Sequence, residues 1–90
     1  MLDIVFSNRF KRDLKLLARR GVNFALLDEI VSKLANGQKL EPQNKDHSLT
    51  GNYTGFRECH IQPDWLLVYR INEDKLFLFL SRTGSHSDLF

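Results

Sequence analysis

Three side chains whose types could carry acid–base chemistry lie in the second half of the chain. His60 and Asp64 are four residues apart, and His86 lies close to the C-terminus. Imidazole titrates near neutral pH, and nearby carboxylates or guanidinium groups can orient it or stabilise developing negative charge. This combination suits the cleavage of a phosphodiester bond. The remaining histidine, His47, also lies in the second half, whereas the first half has none.

Length and composition are those of a small globular domain. The chain has 90 residues, of which 42% are hydrophobic and 27% charged, so we expect one domain over residues 1–90. A net charge of +2 permits contact with nucleic acid without requiring it. The single cysteine, Cys59, cannot form an internal disulfide. Since no apolar run approaches the ~18 residues of a membrane span, we expect a cytoplasmic protein.

Hydrophobic spacing predicts the elements that must position these side chains. Two segments of the first half show apolar residues at helical spacing, and Ser7 or Asn8 caps the first while Asn23 caps the second. Gly21 and the pair Asn36-Gly37 end these helices. Apolar or alternating runs predict four strands, which are Leu2–Phe6, Phe56–Gln62, Trp65–Ile71 and Leu76–Leu80.

A long polar connection, Lys39 to Thr54, joins the second helix to the second strand. Loops of this length in small domains are usually functional or disordered, and the apolar residues Leu40, Leu49 and Tyr53 favour an ordered one. The order of strand, helix, helix and three strands predicts an α+β fold. In it a helical hairpin packs on one face of a mostly antiparallel four-stranded sheet. The other face of the sheet is expected to be free, with polar side chains projecting from it.

Strand geometry predicts that the candidate side chains converge on this free face. Glu58 and His60 are two residues apart in one strand, so they share a face at a spacing of about 6.6–6.8 Å. Asp64 follows a tight turn, close enough for its carboxylate to fold back beside His60. If the last two strands are neighbours, Arg82 and His86 emerge where the last strand ends.

Two other chemistries use the same residue types. The three histidines and Asp64 could bind zinc, but the chain has no closely spaced ligand pair such as HxxxH or CxxC. Cys59 could act as a nucleophile with His60. Neighbours in a strand point to opposite faces, however, which disfavours that pair.

Plainer interpretations also exist for the charged residues. Arg57 and Arg82 could pair on the surface with Glu58 or Asp88. The densest group of basic residues lies on the first helix, where it could be a solvated exterior or a phosphate-contacting surface. Its members are Lys11, Arg12, Lys15, Arg19 and Arg20.

Three strings of residues resemble the YafQ branch of the RelE/ParE toxin superfamily. They are residues 45–51 (KDHSLTG), 55–65 (GFRECHIQPDW) and 82–90 (RTGSHSDLF), in order and at compatible spacing. The order of helices and strands also fits, so the resemblance extends over essentially the whole chain. Members are toxins of bacterial toxin–antitoxin pairs that enter the ribosomal A site and cut the mRNA there.

The resemblance implies catalytic roles at four positions, which are His47, His60, Asp64 and His86. We expect His86 to be the general acid and His60 with Asp64 to form the base unit, although either histidine could serve each role. His47 would orient the substrate.

The resemblance also implies a substrate-binding set, which is Arg82, Phe90, Lys45 and Glu58. Arg82 would bind the scissile phosphate and Phe90 would stack on a base. Glu58 stands where the branch often carries Asp, one methylene shorter.

The implied reaction is attack by a ribose 2′-OH on the adjacent phosphorus, which leaves a 2′,3′-cyclic phosphate without a metal or another cofactor. The implied partners are a cognate antitoxin, the ribosome and mRNA, with no membrane. The free toxin would be a monomer and would form a hetero-oligomer with the antitoxin. The alternatives are a non-catalytic ParE-like toxin that binds a protein target such as gyrase, and a general RNA-binding protein.

Overall fold

Five strands form one sheet, with two long helices packed against it and a short helix at the C-terminus. The computed structural model describes residues 1–90. Its elements, in chain order, are β1 (Asp3–Phe6), α1 (Asn8–Arg20), α2 (Phe24–Ala35), β2 (His47–Ser48), β3 (Arg57–Gln62), β4 (Trp65–Asn72), β5 (Phe77–Gly84) and α3 (His86–Leu89). Two 3₁₀ turns, Pro42–Asn44 and Gly51–Tyr53, lie in the long connection after α2. No helix is both long and apolar enough to cross a membrane.

The strand order is β1-β5-β4-β3-β2, and every pairing is antiparallel except the parallel pairing of β1 with β5. The predicted α+β fold is therefore confirmed, with a difference in strand count. The fifth strand is β2, which consists of only His47 and Ser48 within the polar connection. So short a strand has no hydrophobic alternation of its own, and its pairing with β3 alone defines it.

The helical hairpin begins and ends at the residues that local chemistry predicts. The Ser7 hydroxyl oxygen accepts from the backbone N–H of Phe10 at 2.9 Å, and Asn23 caps α2 in the same way. The Ser7 hydroxyl also donates to the carbonyl of Ser81 at 2.6 Å, which fastens the start of α1 to β5. Gly21 ends α1 with a left-handed φ of +74°.

The sheet face that meets the hairpin carries the main core. Cys59, Leu67 and Tyr69 alternate along β3 and β4 and are almost completely buried. The helices and the other strands complete this core with Phe10, Leu17, Leu27, Ile30, Leu34, Ala35, Trp65, Leu78 and Leu80. At about 25 cal/mol for each Å² of apolar surface removed from water, this face supplies most of the hydrophobic stabilisation.

The opposite face is not wholly free, contrary to the expectation from sequence. Leu66 and Val68 of β4 pack there against Leu89 of α3. Leu49, Tyr53 and Phe56 fold over the same cluster. The long connection and α3 bury their apolar side chains only by covering this part of the sheet, and the polar side chains occupy the remainder.

β5 continues to Gly84, four residues past the predicted end at Leu80. Its extension pairs with β4, with Arg82 opposite Val68 and the register shifted between Val68 and Tyr69. The hydrophobic pattern stops at Leu80, but pairing with a neighbouring strand satisfies the backbone of the polar residues that follow. Arg82 therefore lies within the sheet rather than beyond its end.

Candidate active site

A cross-strand row brings three candidate side chains onto the face opposite the hairpin. His47 lies opposite Glu58, Glu58 opposite Val68, and Val68 opposite Arg82. Directly opposed residues of a sheet project on the same side, so His47, Glu58 and Arg82 share this face. Glu58 and Arg82 do not form the ion pair considered from sequence, because the guanidinium of Arg82 pairs with Asp13 instead.

A second row places His60 beside His86. His60 lies opposite Leu66, which lies opposite Gly84. His86 follows two residues after Gly84, at the first position of α3. The centroids of the two imidazole rings are 5.6 Å apart. The sheet register therefore brings together two groups that can each hold or release a proton.

Asp64 pairs with His86 rather than with His60. The carboxylate oxygen Oδ1 of Asp64 accepts from the backbone N–H of His86 at 3.0 Å and lies 2.7 Å from its Nδ1. These two hydrogen bonds lower the pKa of Asp64.

The expectation that Asp64 folds back beside His60 is therefore wrong. Asp64 lies in the turn between β3 and β4, where its oxygen satisfies a free amide at the start of α3. The Nδ1 atom of His60 instead lies 3.2 Å from the carbonyl of Pro63.

Glu58 is a buried carboxylate that lies between two histidines. Its Oε1 atom is 3.7 Å from Nε2 of His47 and 3.9 Å from Nε2 of His60. Only 8% of the Glu58 side chain is exposed. These distances exceed a direct hydrogen bond but are short enough for an ion pair with a protonated ring.

A backbone carbonyl orients His47. Its Nδ1 atom lies 2.6 Å from the carbonyl oxygen of Lys45. Because a carbonyl only accepts, Nδ1 carries the proton and donates it, which leaves Nε2 towards Glu58. The backbone of Lys45 has a left-handed φ of +48°. The ammonium group of Lys45 makes no ion pair.

Arg82 pairs with Asp13 of α1, a partner that sequence reasoning missed. Its Nε and Nη2 atoms donate to the two carboxylate oxygens of Asp13 at 2.8 and 3.1 Å. Asp13 Oδ2 also accepts from the backbone N–H of Thr83. The hydrogen bonds to Asp13 raise the pKa of Arg82. Since a guanidinium has five N–H donors, donors remain for an anion.

Arg57 pairs with Asp46, not with Glu58. Its Nε atom donates to Asp46 Oδ1 at 3.2 Å, and its Nη1 atom donates to the hydroxyl of Ser48. The hydroxyl of Tyr69 donates to the same Asp46 oxygen. These bonds fasten the segment before and within β2 to the sheet, and that segment carries His47.

Phe90 is 62% exposed and packs edge-on against Tyr53, with ring centroids 5.8 Å apart. An exposed aromatic ring four residues after His86 offers a stacking surface for a nucleobase. Tyr53 supports that ring in addition to anchoring the loop, which is the role that the sequence predicts for it.

Two cavities are lined by candidate residues or their neighbours in the chain. One of about 360 Å³ is lined by Lys45, His60 and neighbouring residues. Another of about 430 Å³ is lined in part by Arg20, Asp64 and Ser85. A larger apolar groove of about 500 Å³ lies between β1 and the hairpin and has none of the histidines. The candidate chemistry therefore lies at the smaller, polar cavities.

The structure also places the residues of the two alternative chemistries. No group of three or more His, Cys, Asp or Glu side chains is arranged to hold a metal ion. Cys59 is buried on the hairpin side of the sheet, and burial raises the pKa of its thiol to about 12. A thiol in that state is a poor nucleophile near neutral pH.

Known proteins match this chain from end to end. Residues 2–90 match the family described as the bacterial toxin of a type II toxin–antitoxin system, YafQ. The mRNA interferase toxin YafQ of Escherichia coli K12 is 38% identical over 89 residues, which cover 98% of this chain and 95% of that protein.

Solved structures agree with this match. A metal-bound toxin from Helicobacter pylori is 50% identical, with a TM-score of 0.94 and full coverage of both chains. YafQ in the E. coli DinJ–YafQ complex is 34% identical, with a TM-score of 0.90 over 100% of this chain and 99% of that one. The bound metal is a property of the H. pylori protein. By sequence and by fold, the chain belongs to the YafQ family of bacterial toxins from type II toxin–antitoxin systems.

Proposed function

We propose that the protein is a ribosome-dependent endoribonuclease that cleaves mRNA in the A site by general acid–base catalysis. The observation that carries the proposal is the pair of imidazoles with centroids 5.6 Å apart, one of them hydrogen-bonded to Asp64. The curated relatives named mRNA interferase toxins support the same reaction class.

The cleavage step needs one group that removes the 2′-OH proton and another that protonates the leaving 5′-oxygen. We assign His86 as the general acid, because the Asp64 carboxylate orients its ring and balances the positive charge that an acid form carries. We assign His60 as the base, since the Pro63 carbonyl at 3.2 Å holds the proton on Nδ1 and leaves Nε2, on the side of Glu58, unprotonated. The sequence predicts that Asp64 assists the base, His60. Because Asp64 bonds to His86, we assign it to the acid instead.

The remaining residues bind and orient the RNA. Arg82 holds the charge of the phosphorane with the donors that Asp13 does not use. Lys45 contributes an unpaired ammonium group beside His60, and Phe90 stacks on a base. His47 orients the substrate from the neighbouring strand β2, and Glu58, in the same strand as His60, orients the His60 ring.

We also propose the biological setting. The net charge of +2 gives weak intrinsic affinity for RNA, so the ribosome supplies much of the positioning. That target places the toxin in the cytoplasm. A cognate antitoxin neutralises it in a hetero-oligomer, as the DinJ–YafQ complex illustrates for a relative. Residues 1–90 act as one domain, because β1 from one end of the chain pairs with β5 from the other.

Primer extension on an mRNA translated by purified ribosomes tests the activity. We expect discrete cuts within A-site codons for the wild-type protein, and none for His86→Ala. Lys33→Met is the matched control, because it removes a charged side chain from α2 that pairs only with Glu29. Cuts of equal strength in His86→Ala would remove His86 from the mechanism. An absence of cuts by folded wild-type protein would reject the nuclease and favour a toxin that acts by binding a protein.

A further inference from the structure

Two ion pairs tie the C-terminal segment that carries His86 to helix α1. Asp13 pairs with Arg82, and Arg20 pairs with Asp88. Asp13 and Arg20 are seven residues apart, about two turns of helix, so they lie on the same side of α1. Residues on both sides of His86 are thus held by one helix.

The ion pair between Arg20 and Asp88 consists of two hydrogen bonds with a defined geometry. Nη1 of Arg20 donates to Asp88 Oδ2 at 2.6 Å, and Nη2 donates to Oδ1 at 2.9 Å. Two parallel hydrogen bonds between planar groups determine the orientation of the carboxylate as well as its position. The hydrogen bonds from Arg20 hold the pKa of Asp88 well below its usual range.

The same carboxylate organises the start of α3. Asp88 Oδ2 accepts from the backbone N–H of Ser85 at 2.8 Å, and the Ser85 hydroxyl accepts from the N–H of Asp88. This reciprocal capping fixes the residue immediately before His86. A Cβ added to Gly84 would lie 2.8 Å from Asp88 Oδ2, so the carboxylate also packs closely against the end of β5.

His86 itself has few other restraints. Its side chain is 56% exposed, and its partner Asp64 is 70% exposed. α3 has only four residues, and of these only Leu89 is buried. So short a helix is not stable by itself, and its position depends on contacts from outside.

We infer that Arg20 is a positioning residue whose ion pair with Asp88 holds His86 in place relative to Asp64 and His60. Loss of the pair lets the start of α3 move and misaligns the general acid. Because exposed ion pairs contribute little to folding stability, the effect on the reaction exceeds the effect on unfolding. The kinetic part of this role rests on the proposed function, whereas its geometric part does not.

Kinetics of Arg20→Met and Asp88→Asn form the first test. Asp88→Asn keeps an oxygen for the Ser85 cap and leaves Arg20 charged, so it breaks the ion pair without removing positive charge. We expect each variant to lower kcat roughly ten- to hundredfold with little change in KM. The double variant should be no slower than the slower single variant, because both remove one interaction.

A direct phosphate-binding role for Arg20 predicts a different result. Arg20→Met would then raise KM, and Asp88→Asn would leave kcat unchanged. That outcome would overturn the positioning role. Lys33→Met again serves as the activity control. If Arg20→Met fails to fold, Arg20→Lys keeps the charge and loses the paired hydrogen bonds, and it should reduce kcat by a smaller factor.

NMR of the free protein forms the second test and requires no RNA. In both variants the pKa of Asp64, followed by its carboxyl ¹³C resonance, should rise towards the ordinary value as its bonds from His86 weaken. The backbone amide resonance of His86 should shift as well. Arg19→Met removes the same charge one residue earlier, where no ion pair forms, and should change neither signal.

The two tests separate this role from the nuclease assignment. A wild-type protein that cuts no RNA would reject the proposed function. The NMR titration would still show whether the ion pair of Arg20 and Asp88 holds His86 in place. Unchanged Asp64 and His86 signals in both variants would overturn the inference, whatever the cleavage assay shows.

Discussion

The two faces of the sheet arise from alternate residues of the same strands, yet they contribute differently to the protein. On the hairpin face, Cys59 and Leu67 are completely buried among apolar side chains. On the opposite face Glu58 and His60, the residues on either side of Cys59, lie beside ionisable groups. Side chains of a strand alternate in direction, so one segment can supply stability and chemistry at once.

The faces also differ in how much apolar surface they bury. The hairpin face belongs to a cluster of twelve buried residues, whereas the opposite face has a cluster of three. Stability therefore depends mainly on the hairpin face. The opposite face can hold polar groups near each other because it is not needed for most of the core.

Replacement of His60 by Gln should produce the largest effect and should affect activity alone. We expect the single-turnover cleavage rate on ribosomes to fall about 10²–10⁴-fold, as is typical for loss of a general base. Thermal unfolding should change little, because His60 lies outside both buried clusters. A variant that cleaves at the wild-type rate would show that this face does not carry the chemistry assigned to it.

Leu67→Ala on the hairpin face should show the reverse. Leu67 has no exposed surface, and truncation of a buried Leu lowers the free energy of unfolding by about 2–5 kcal/mol. Urea unfolding measures this loss, and cleavage per folded molecule should stay near that of the wild type. A large loss of activity in fully folded protein would mean that the faces are not independent.

Gly84→Ala tests the point where β5 meets α3. Its φ of +155° disfavours a side chain, and the added Cβ would meet Asp88 at 2.8 Å. We expect a loss of about 1–3 kcal/mol in urea unfolding, together with slower cleavage. Gly37→Ala is the matched control, since Gly37 also has a positive φ but no atom within 4 Å of an added Cβ. Equal losses in both variants would contradict the close contact with Asp88.

Acid unfolding should reveal the smallest difference. The pKa of Asp88 is lowered in the folded state, so its contribution to stability is complete above the unfolded value of about 3.9 and is lost as pH falls through the folded value. Asp88→Asn should therefore lose less stability than the wild type between pH 4 and pH 2. Urea midpoints across this range measure the difference. Parallel plots of urea midpoint against pH would show that the hydrogen bonds from Arg20 and Ser85 do not lower the pKa of Asp88.

Local signals in the sequence predicted much of the fold. Ser7, Gly21 and Asn23 begin or end the helices through contacts within a few residues, which a linear pattern contains. The end of β5 and the existence of β2 were not predictable in this way. Both are defined by pairing with a distant strand, and neither has an apolar pattern to mark it.

The candidate residues were found by their types, but their partners were not. The pairing of Asp64 with His86 spans 22 residues, and that of Arg82 with Asp13 spans 69. The resemblance to the YafQ branch was confirmed by the family match and by related structures, although it named none of these pairs. The catalytic roles of the histidines stay predictions until cleavage is measured.

The sequence by itself determined the two helices, most strand positions, the alternation of the sheet faces and the family, because these depend on short-range spacing or on residue identity. Only the tertiary structure decided which carboxylate meets which cation. Asp13 and Arg20 lie 69 and 68 residues before their partners in the chain. Such contacts depend on how β5 and α3 pack against α1, and no local pattern encodes that geometry.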